Sequence, residues 1–112
     1  MSDKQFNVNR RIGTVTIPTS DTVVVGTTTQ VTNGLCRWLE FLTPAMEGTD
    51  STQLDIVSSA GGTLYTSGTV AESTRTAAGT VFPVQGTISV TATAEGTQSA
   101  ERDVVYDIYY TT

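Results

Sequence analysis

Residues 81–110 read VFPVQGTISVTATAEGTQSAERDVVYDIYY and contain two segments in which apolar and polar positions alternate. The first segment carries Ile88, Val90, Ala92 and Ala94 on one side. The second carries Val104, Tyr106, Ile108 and Tyr110 on one side, which leaves Tyr109 on the other. Alternation with a period of two is typical of a half-buried strand. Because residues 95–102 are polar and include a glycine, we expect a hairpin that joins the two strands.

The rest of the chain shows the same kind of short strand between turn signals. Strand patterns occupy residues 13–17, 22–25, 27–32, 35–42, 53–58 and 63–67. Asn33-Gly34 is a strong hairpin signal, and residues 59–62 predict a second hairpin turn. Trp38 lies in the most apolar of these strands, where a lone tryptophan is usually core. About eight short strands predict an all-β fold, either an antiparallel β-sandwich or a jelly-roll-like barrel.

Composition supports this fold class and a single domain. Threonine makes up about a fifth of the 112 residues, and it favours strands over helix interiors. The hydrophobic fraction of 38%, together with ten glycines, is typical of a globular chain. We therefore expect one β domain over residues 12–112, preceded by an N-terminal arm over residues 1–11. A first strand that folds back onto the domain is the alternative for part of that arm.

The charge and the cysteine content exclude several classes of function. A net charge of −5 argues against nucleic-acid binding, which needs clustered Lys and Arg. It gives a weak reason to expect a basic partner surface, although an acidic, solvated surface explains it as well. Cys36 is the single cysteine, so no internal disulfide is predicted, and its apolar surroundings indicate a buried thiol. The polar N-terminus predicts no signal peptide, and no apolar run is long enough to span a membrane.

The sequence contains few patterns that predict chemistry. There is no histidine, no phosphate-binding glycine loop and no nucleophile elbow, so we expect no enzyme, no metal and no cofactor. Two weaker alternatives remain. The acidic residues 47–55 offer oxygens to a calcium ion, without the spacing of an EF-hand. Asp103 and Asp107 share one parity of a strand, as a pair of glycosidase carboxylates would.

Other features indicate contacts with protein surfaces. The arm over residues 1–11 holds three of the six basic residues: Lys4, Arg10 and Arg11. Residues 68–79 read as a loop of small and polar residues with Arg75 in it, and loops of that length often contact partners. Tyr109 points away from the core, and an outward tyrosine is a frequent interface anchor. We predict a protein interface that uses Lys4, Arg10, Arg11, Arg75 and Tyr109.

The segment FPVQGTISV at residues 82–90, followed by a polar loop and DVVYDIYY at residues 103–110, resembles the ending of small tailed-bacteriophage virion proteins. The resemblance covers about the last quarter of the chain. It implies a structural role, most concretely as a capsid decoration (cement) protein. Its partners would be the major capsid protein or other virion proteins, and it would form a homo-oligomer, a trimer or a dimer. It would be located in the virion, assembled in the host cytoplasm.

A second class of function remains open beside this one. A phage tail or adhesin-like binding module would recognise a host glycan or protein. It would use Trp38, Tyr65 or the acidic residues 47–55.

Overall fold

The structure is a computed structural model that describes residues 8–19, 25–79 and 82–111. These residues form seven strands and one short 3-10 turn, Glu47–Thr49. The strands are β1 (Val8–Ile17), β2 (Val25–Leu42), β3 (Thr52–Ser58), β4 (Thr63–Val70), β5 (Arg75–Ala78), β6 (Phe82–Ala94) and β7 (Arg102–Thr111). In these three ranges no helix is long and apolar enough to cross a membrane.

All strand pairs are antiparallel, and the strands form two layers that share β2. The first half of β2 pairs with β6 as far as Cys36, β6 pairs with β3, and β3 pairs with β4. The second half of β2, from Leu35 onward, pairs with β7 and with β5, and β7 pairs with β1. This arrangement is a β-sandwich and confirms the predicted fold class. Two of the described strands are longer than expected, since β2 and β6 run for 18 and 13 residues.

One core fills the space between the two layers. It receives the side chains that the alternation predicts for β6 and β7, so those parities are confirmed. Strands β1, β2 and β3 contribute their own inward residues to this core, as does Met46 in the segment after β2. Where burial is described, the buried apolar residues are Val15, Ile17, Cys36, Leu39, Phe41, Met46, Leu54, Ile56, Phe82, Ile88, Val90, Ala92, Ala94, Val104, Tyr106, Ile108 and Tyr110.

The change of partner along β2 takes place beside Gly34. Its φ of +146° lies in a region that side chains other than glycine rarely adopt. A Cβ at this position would overlap the backbone carbonyl oxygen of Thr111, the residue of β7 that pairs with Leu35. The expected hairpin at Asn33-Gly34 is therefore wrong. The glycine supplies the backbone freedom that a hairpin turn would need, but it serves a continuous strand that passes from one layer to the other.

The predicted hairpin between the last two strands is also wrong. Strand β6 pairs with β2 and β3, whereas β7 pairs with β1 and β2. Residues 95–101 therefore connect the two layers instead of reversing the chain within one sheet. By contrast, the hairpin of β3 and β4 is confirmed. Its turn is closed by hydrogen bonds from Ser58 N to Gly62 O (2.8 Å) and from Gly61 N to Ser58 O (2.9 Å).

Part of the expected N-terminal arm belongs to the sheet. Residues 8–11 form the start of β1 and pair with β7, from Val8 opposite Thr111 to Arg11 opposite Ile108. This is the alternative in which a first strand folds back. Residues 1–7 lie outside the described residues.

The expected loop over residues 68–79 is instead the end of β4, a turn and the strand β5, which pairs with the edge of β2.

Candidate functional site

The outward side of the β1-β7-β2-β5 layer, here called the outer face, gathers the exposed apolar side chains. In the described ranges, four large apolar residues are strongly exposed: Ile12 (57%), Trp38 (40%), Leu42 (42%) and Val105 (42%). The strand register places them on the same face, since Leu42 lies opposite Val105 and Trp38 opposite Tyr109. Exposed apolar residues that cluster on one face of a small protein mark an interaction surface.

A β-bulge in β2 brings Trp38 to this face. The register with β7 shifts between Cys36 and Trp38, so Arg37 and Trp38 are both exposed while Cys36 and Leu39 are both buried. The expectation that Trp38 belongs to the core is therefore wrong. An extra residue in one strand reverses the parity on one side of the bulge, which simple alternation does not predict.

Four charged side chains, here called the charge ladder, cross the outer face from β1 to β5. Arg10 donates to Asp107, from Nε to both carboxylate oxygens (2.9 Å each) and from Nη2 to Oδ2 (2.6 Å). Asp107 lies opposite Glu40 in the register, and Glu40 accepts a bond from Arg75 at 3.5 Å. Like charges directly opposite each other destabilise a sheet, so each arginine offsets one of the two carboxylates.

Tyr109 is held in the same network. Its hydroxyl donates to Asp107 Oδ2 (3.1 Å), and the guanidinium carbon of Arg10 lies 5.5 Å from the centre of its ring. The hydrogen bonds from Arg10 lower the pKa of Asp107 below that of an ordinary carboxyl. Desolvation, and then the bond to Asp107, raise the pKa of Tyr109. The carboxylate therefore stays charged over the physiological range.

The middle of the outer face is a shallow groove of about 250 Å³. Arg10 and Ile12 border it on the β1 side and Arg75 on the β5 side, and Leu42 and Val105 form part of its floor. Glu40 and Asp107 of the two central strands line it as well, so the groove combines apolar side chains with charged groups.

Three of the five predicted interface residues lie on this face: Arg10, Arg75 and Tyr109. Lys4 falls outside the described residues, and for Arg11 only the backbone, paired with Ile108, is described. The interface role of all five stays a prediction. The sequence did not identify Ile12, Leu42 and Val105 as part of the site. The available signal was their position in the strands, where each alternates with buried residues and so points to the opposite side.

The acidic residues 47–55 form a different kind of structure. The side-chain amide of Gln98, only 1% exposed, accepts from Glu47 N (2.8 Å) and donates to Asp50 Oδ2 (2.9 Å). Glu47 Oε2 accepts from Ser99 N at 2.8 Å. These hydrogen bonds connect the segment of residues 47–50 with the segment of residues 98–99. In the described ranges, no group of three or more Cys, Asp or Glu is arranged to hold a metal ion.

The imagined pair of glycosidase carboxylates is not supported by the geometry. Asp103 and Asp107 are four residues apart on β7, which corresponds to about 13 Å along a strand. Carboxylates of glycosidases are at most about 9.5 Å apart. Asp103 accepts a bond from Thr16 Oγ1 (2.8 Å), while Asp107 is held by Arg10.

Comparisons with known proteins give distant similarities. No protein-family model matches the chain, and no curated protein matches it. Among solved structures, a pilus protein of Bacillus endospore appendages is similar at 18% identity and a TM-score of 0.48, with 99% of this chain and 94% of that chain covered. A protein of infectious bursal disease virus, Gx strain, is similar at 12% identity and a TM-score of 0.43, with 92% of this chain and 32% of that chain covered.

Proposed function

We propose that the protein is a non-enzymatic structural component of a virion, a capsid decoration protein that docks on the shell through the outer face. The observation that carries the proposal is the convergence on one face of four exposed apolar side chains with Arg10, Arg75 and Tyr109. The resemblance of residues 82–90 and 103–110 to the ending of phage virion proteins supports the choice of partner, the major capsid protein or another virion protein.

The size of the outer face supports assembly as a dimer or a trimer. Four strands about 4.8 Å apart and about seven residues of strand length give a footprint of roughly 450 Å². A stable interface buries about 800 Å² on each partner. A single copy would therefore bind the shell weakly. A homo-oligomer would bind several shell sites at once, and the linked contacts would raise its overall affinity for the shell. Binding to the assembled shell in preference to free subunits would stabilise the shell by mass action.

Co-sedimentation with empty phage shells tests the proposal. We expect saturable binding at an integer ratio to the major capsid subunit. The double variant Leu42→Glu and Val105→Lys, at side chains that already face solvent, places opposite charges across the register, so it should fold normally and lose binding. Thr63→Glu, an exposed position of β4 in the other layer, is the matched control and should bind as the unmodified protein does. If the unmodified protein, folded by circular dichroism, stays in the supernatant, the proposal is wrong.

A short deletion tests the predicted role of the arm. Removing residues 2–11 would also remove the start of β1 and the ion pair of Arg10 with Asp107. A deletion of residues 2–7 leaves both in place and removes Lys4. We propose that this shorter deletion reduces binding to the shell; full binding by the shortened chain would refute a role for the arm.

Recognition of a host glycan by a tail or adhesin-like module is a second candidate. The observation in its favour is Trp38, which is 40% exposed and lies opposite Tyr109 instead of in the core. Aromatic rings with one apolar face and a polar edge suit such surfaces. A glycan array probed with the isolated protein and with Trp38→Ala tests it. Binding that is lost in the variant supports this candidate, and an array without binding refutes it.

A further inference from the structure

Around the groove, the cations of the outer face are more exposed than its anions, although Asp103, further along β7, is exposed as well. Side-chain exposure is 56% for Arg10 and 68% for Arg75, against 14% for Asp107 and 27% for Glu40. Arg37, brought outward by the bulge, is exposed as well. A guanidinium has five N–H donors, and Arg10 uses Nε and Nη2 on Asp107, so it keeps donors for a partner. An approaching surface therefore meets guanidinium groups and apolar side chains before it meets carboxylates.

The net charge of −5 suggests a basic partner, whereas the outer face has the opposite local preference. We propose that this face binds an acidic surface, one that places carboxylates on both sides of an apolar centre. The inference rests on the proposed function, since it names the chemistry of the partner at the same face. Arginine is well suited to this task because its planar fork matches a carboxylate with two parallel hydrogen bonds.

The strand order sets the spacing of the expected carboxylates. Arg10 lies on β1 and Arg75 on β5, with β7 and β2 between them. Their backbones are offset along the strands, since Arg10 lies opposite Tyr109 and Arg75 opposite Leu42. Both side chains nevertheless reach the row in which Asp107 lies opposite Glu40. Along that row, three strand intervals set an upper limit of about 14 Å between the two guanidinium groups. The groove between them has Leu42 and Val105 in its floor. A complementary partner therefore carries two carboxylates up to about 14 Å apart with an apolar group between them, which an extended chain achieves with acidic residues at positions i and i+4.

A second copy of this chain, packed face to face, fits less well. Read across the strands, the charge ladder has the sign order plus, minus, minus, plus. This order is the same in both directions, so superposing two ladders by a two-fold rotation places like charges over each other. Like-charge contacts across an interface cost affinity and suppress the wrong partner. The pattern therefore favours a different, acidic partner.

Two synthetic peptides separate the alternatives. The probe is acetyl-Glu-Thr-Leu-Thr-Glu amide, and its control replaces both glutamates with lysine. Each is titrated into ¹⁵N-labelled protein while amide shifts are recorded. We expect the glutamate peptide to shift amides of β1, β7 and the second half of β2. Arg75→Glu should weaken its binding by about threefold to tenfold, as expected for an exposed charge, and Thr63→Glu should leave it nearly unchanged.

The outcomes distinguish this inference from the proposed function. Stronger binding of the lysine peptide to the outer face, or no shifts there with the glutamate peptide, overturns the inference. Shell binding is measured separately with the same variants. If the unmodified protein sediments with shells and Arg75→Glu sediments better, the partner is basic, so the inference fails while the proposed function stands. If the unmodified protein does not sediment with shells, the proposed function is wrong. The peptide titrations then still show whether the outer face prefers an acidic or a basic partner.

Discussion

Replacing Gly34 with alanine should destabilise the protein more than any comparable glycine substitution in a turn. At φ +146° a residue with a Cβ is strained by about 1–3 kcal/mol. The new methyl group would also lie 3.0 Å from the carbonyl carbon of Thr111 and overlap its oxygen. Since the obstacle is backbone, no rotamer change relieves it, and overpacking adds about 1–3 kcal/mol. The expected loss is roughly 2–6 kcal/mol, a large share of the 5–15 kcal/mol typical of a domain.

Urea unfolding followed by circular dichroism measures this loss, with Gly61→Ala as the matched control. Gly61 has a φ of +93°, and an added Cβ there meets no atom within 4 Å, so only the backbone strain remains. The midpoint of thermal unfolding should fall by roughly 4 °C for each kcal/mol lost. Equal losses in the two variants would refute the close approach of β2 and β7 at Gly34.

Three further predictions concern other parts of the fold. Gly13→Ala should cost about 1–3 kcal/mol in urea unfolding, because its Cβ would come within 2.7 Å of Tyr106 Cε1 in a fully buried ring; an unchanged midpoint contradicts that packing. Arg10→Gln should raise the pKa of Asp107, read from its carboxyl ¹³C shift. Because the pKa of Asp107 is lowered in the folded protein, the ion pair with Arg10 contributes stability above a pH of about 4, and this contribution disappears as the pH falls through the pKa of the folded state. The free energies of unfolding of the unmodified protein and of Arg10→Gln should therefore converge in acid. A difference that does not change with pH would argue against the ion pair. Gln98→Ala should cost about 1–3 kcal/mol by removing a buried amide that bonds Glu47 N and Asp50 Oδ2, whereas an unaltered urea midpoint would show that water replaces the amide.

For β6 and β7, local pattern was enough to predict which residues face the core but not which strands are their neighbours. The parities of β6 and β7 follow from alternation alone, because one side of each strand must be apolar. Pairing depends on the whole chain. The long β2 offers an edge to β6 in one half and to β7 in the other, which separates two strands that are adjacent in sequence.

Two backbone irregularities account for most of the remaining differences. Gly34 carries the signal of a turn residue, yet the same conformational freedom serves a strand that changes layers. The bulge after Cys36 adds one residue to β2, and the parity of Trp38 changes with it. Neither event alters the hydrophobic pattern of the surrounding residues. The site was predicted in part, since Arg10, Arg75 and Tyr109 fall on one face, but that convergence depends on the pairing of β1, β7, β2 and β5.

The pairing of β1 with β7 affects the order of events during folding. Val8 lies opposite Thr111, so the first described strand meets its neighbour only after about a hundred further residues have been synthesised. Until then the inward residues Val15 and Ile17 lack the strand that anchors β1 in the core. Domains that depend on such distant pairings fold slowly, because the entropy of closing long loops must be overcome first. On the ribosome, this sandwich is therefore completed only when β7 emerges.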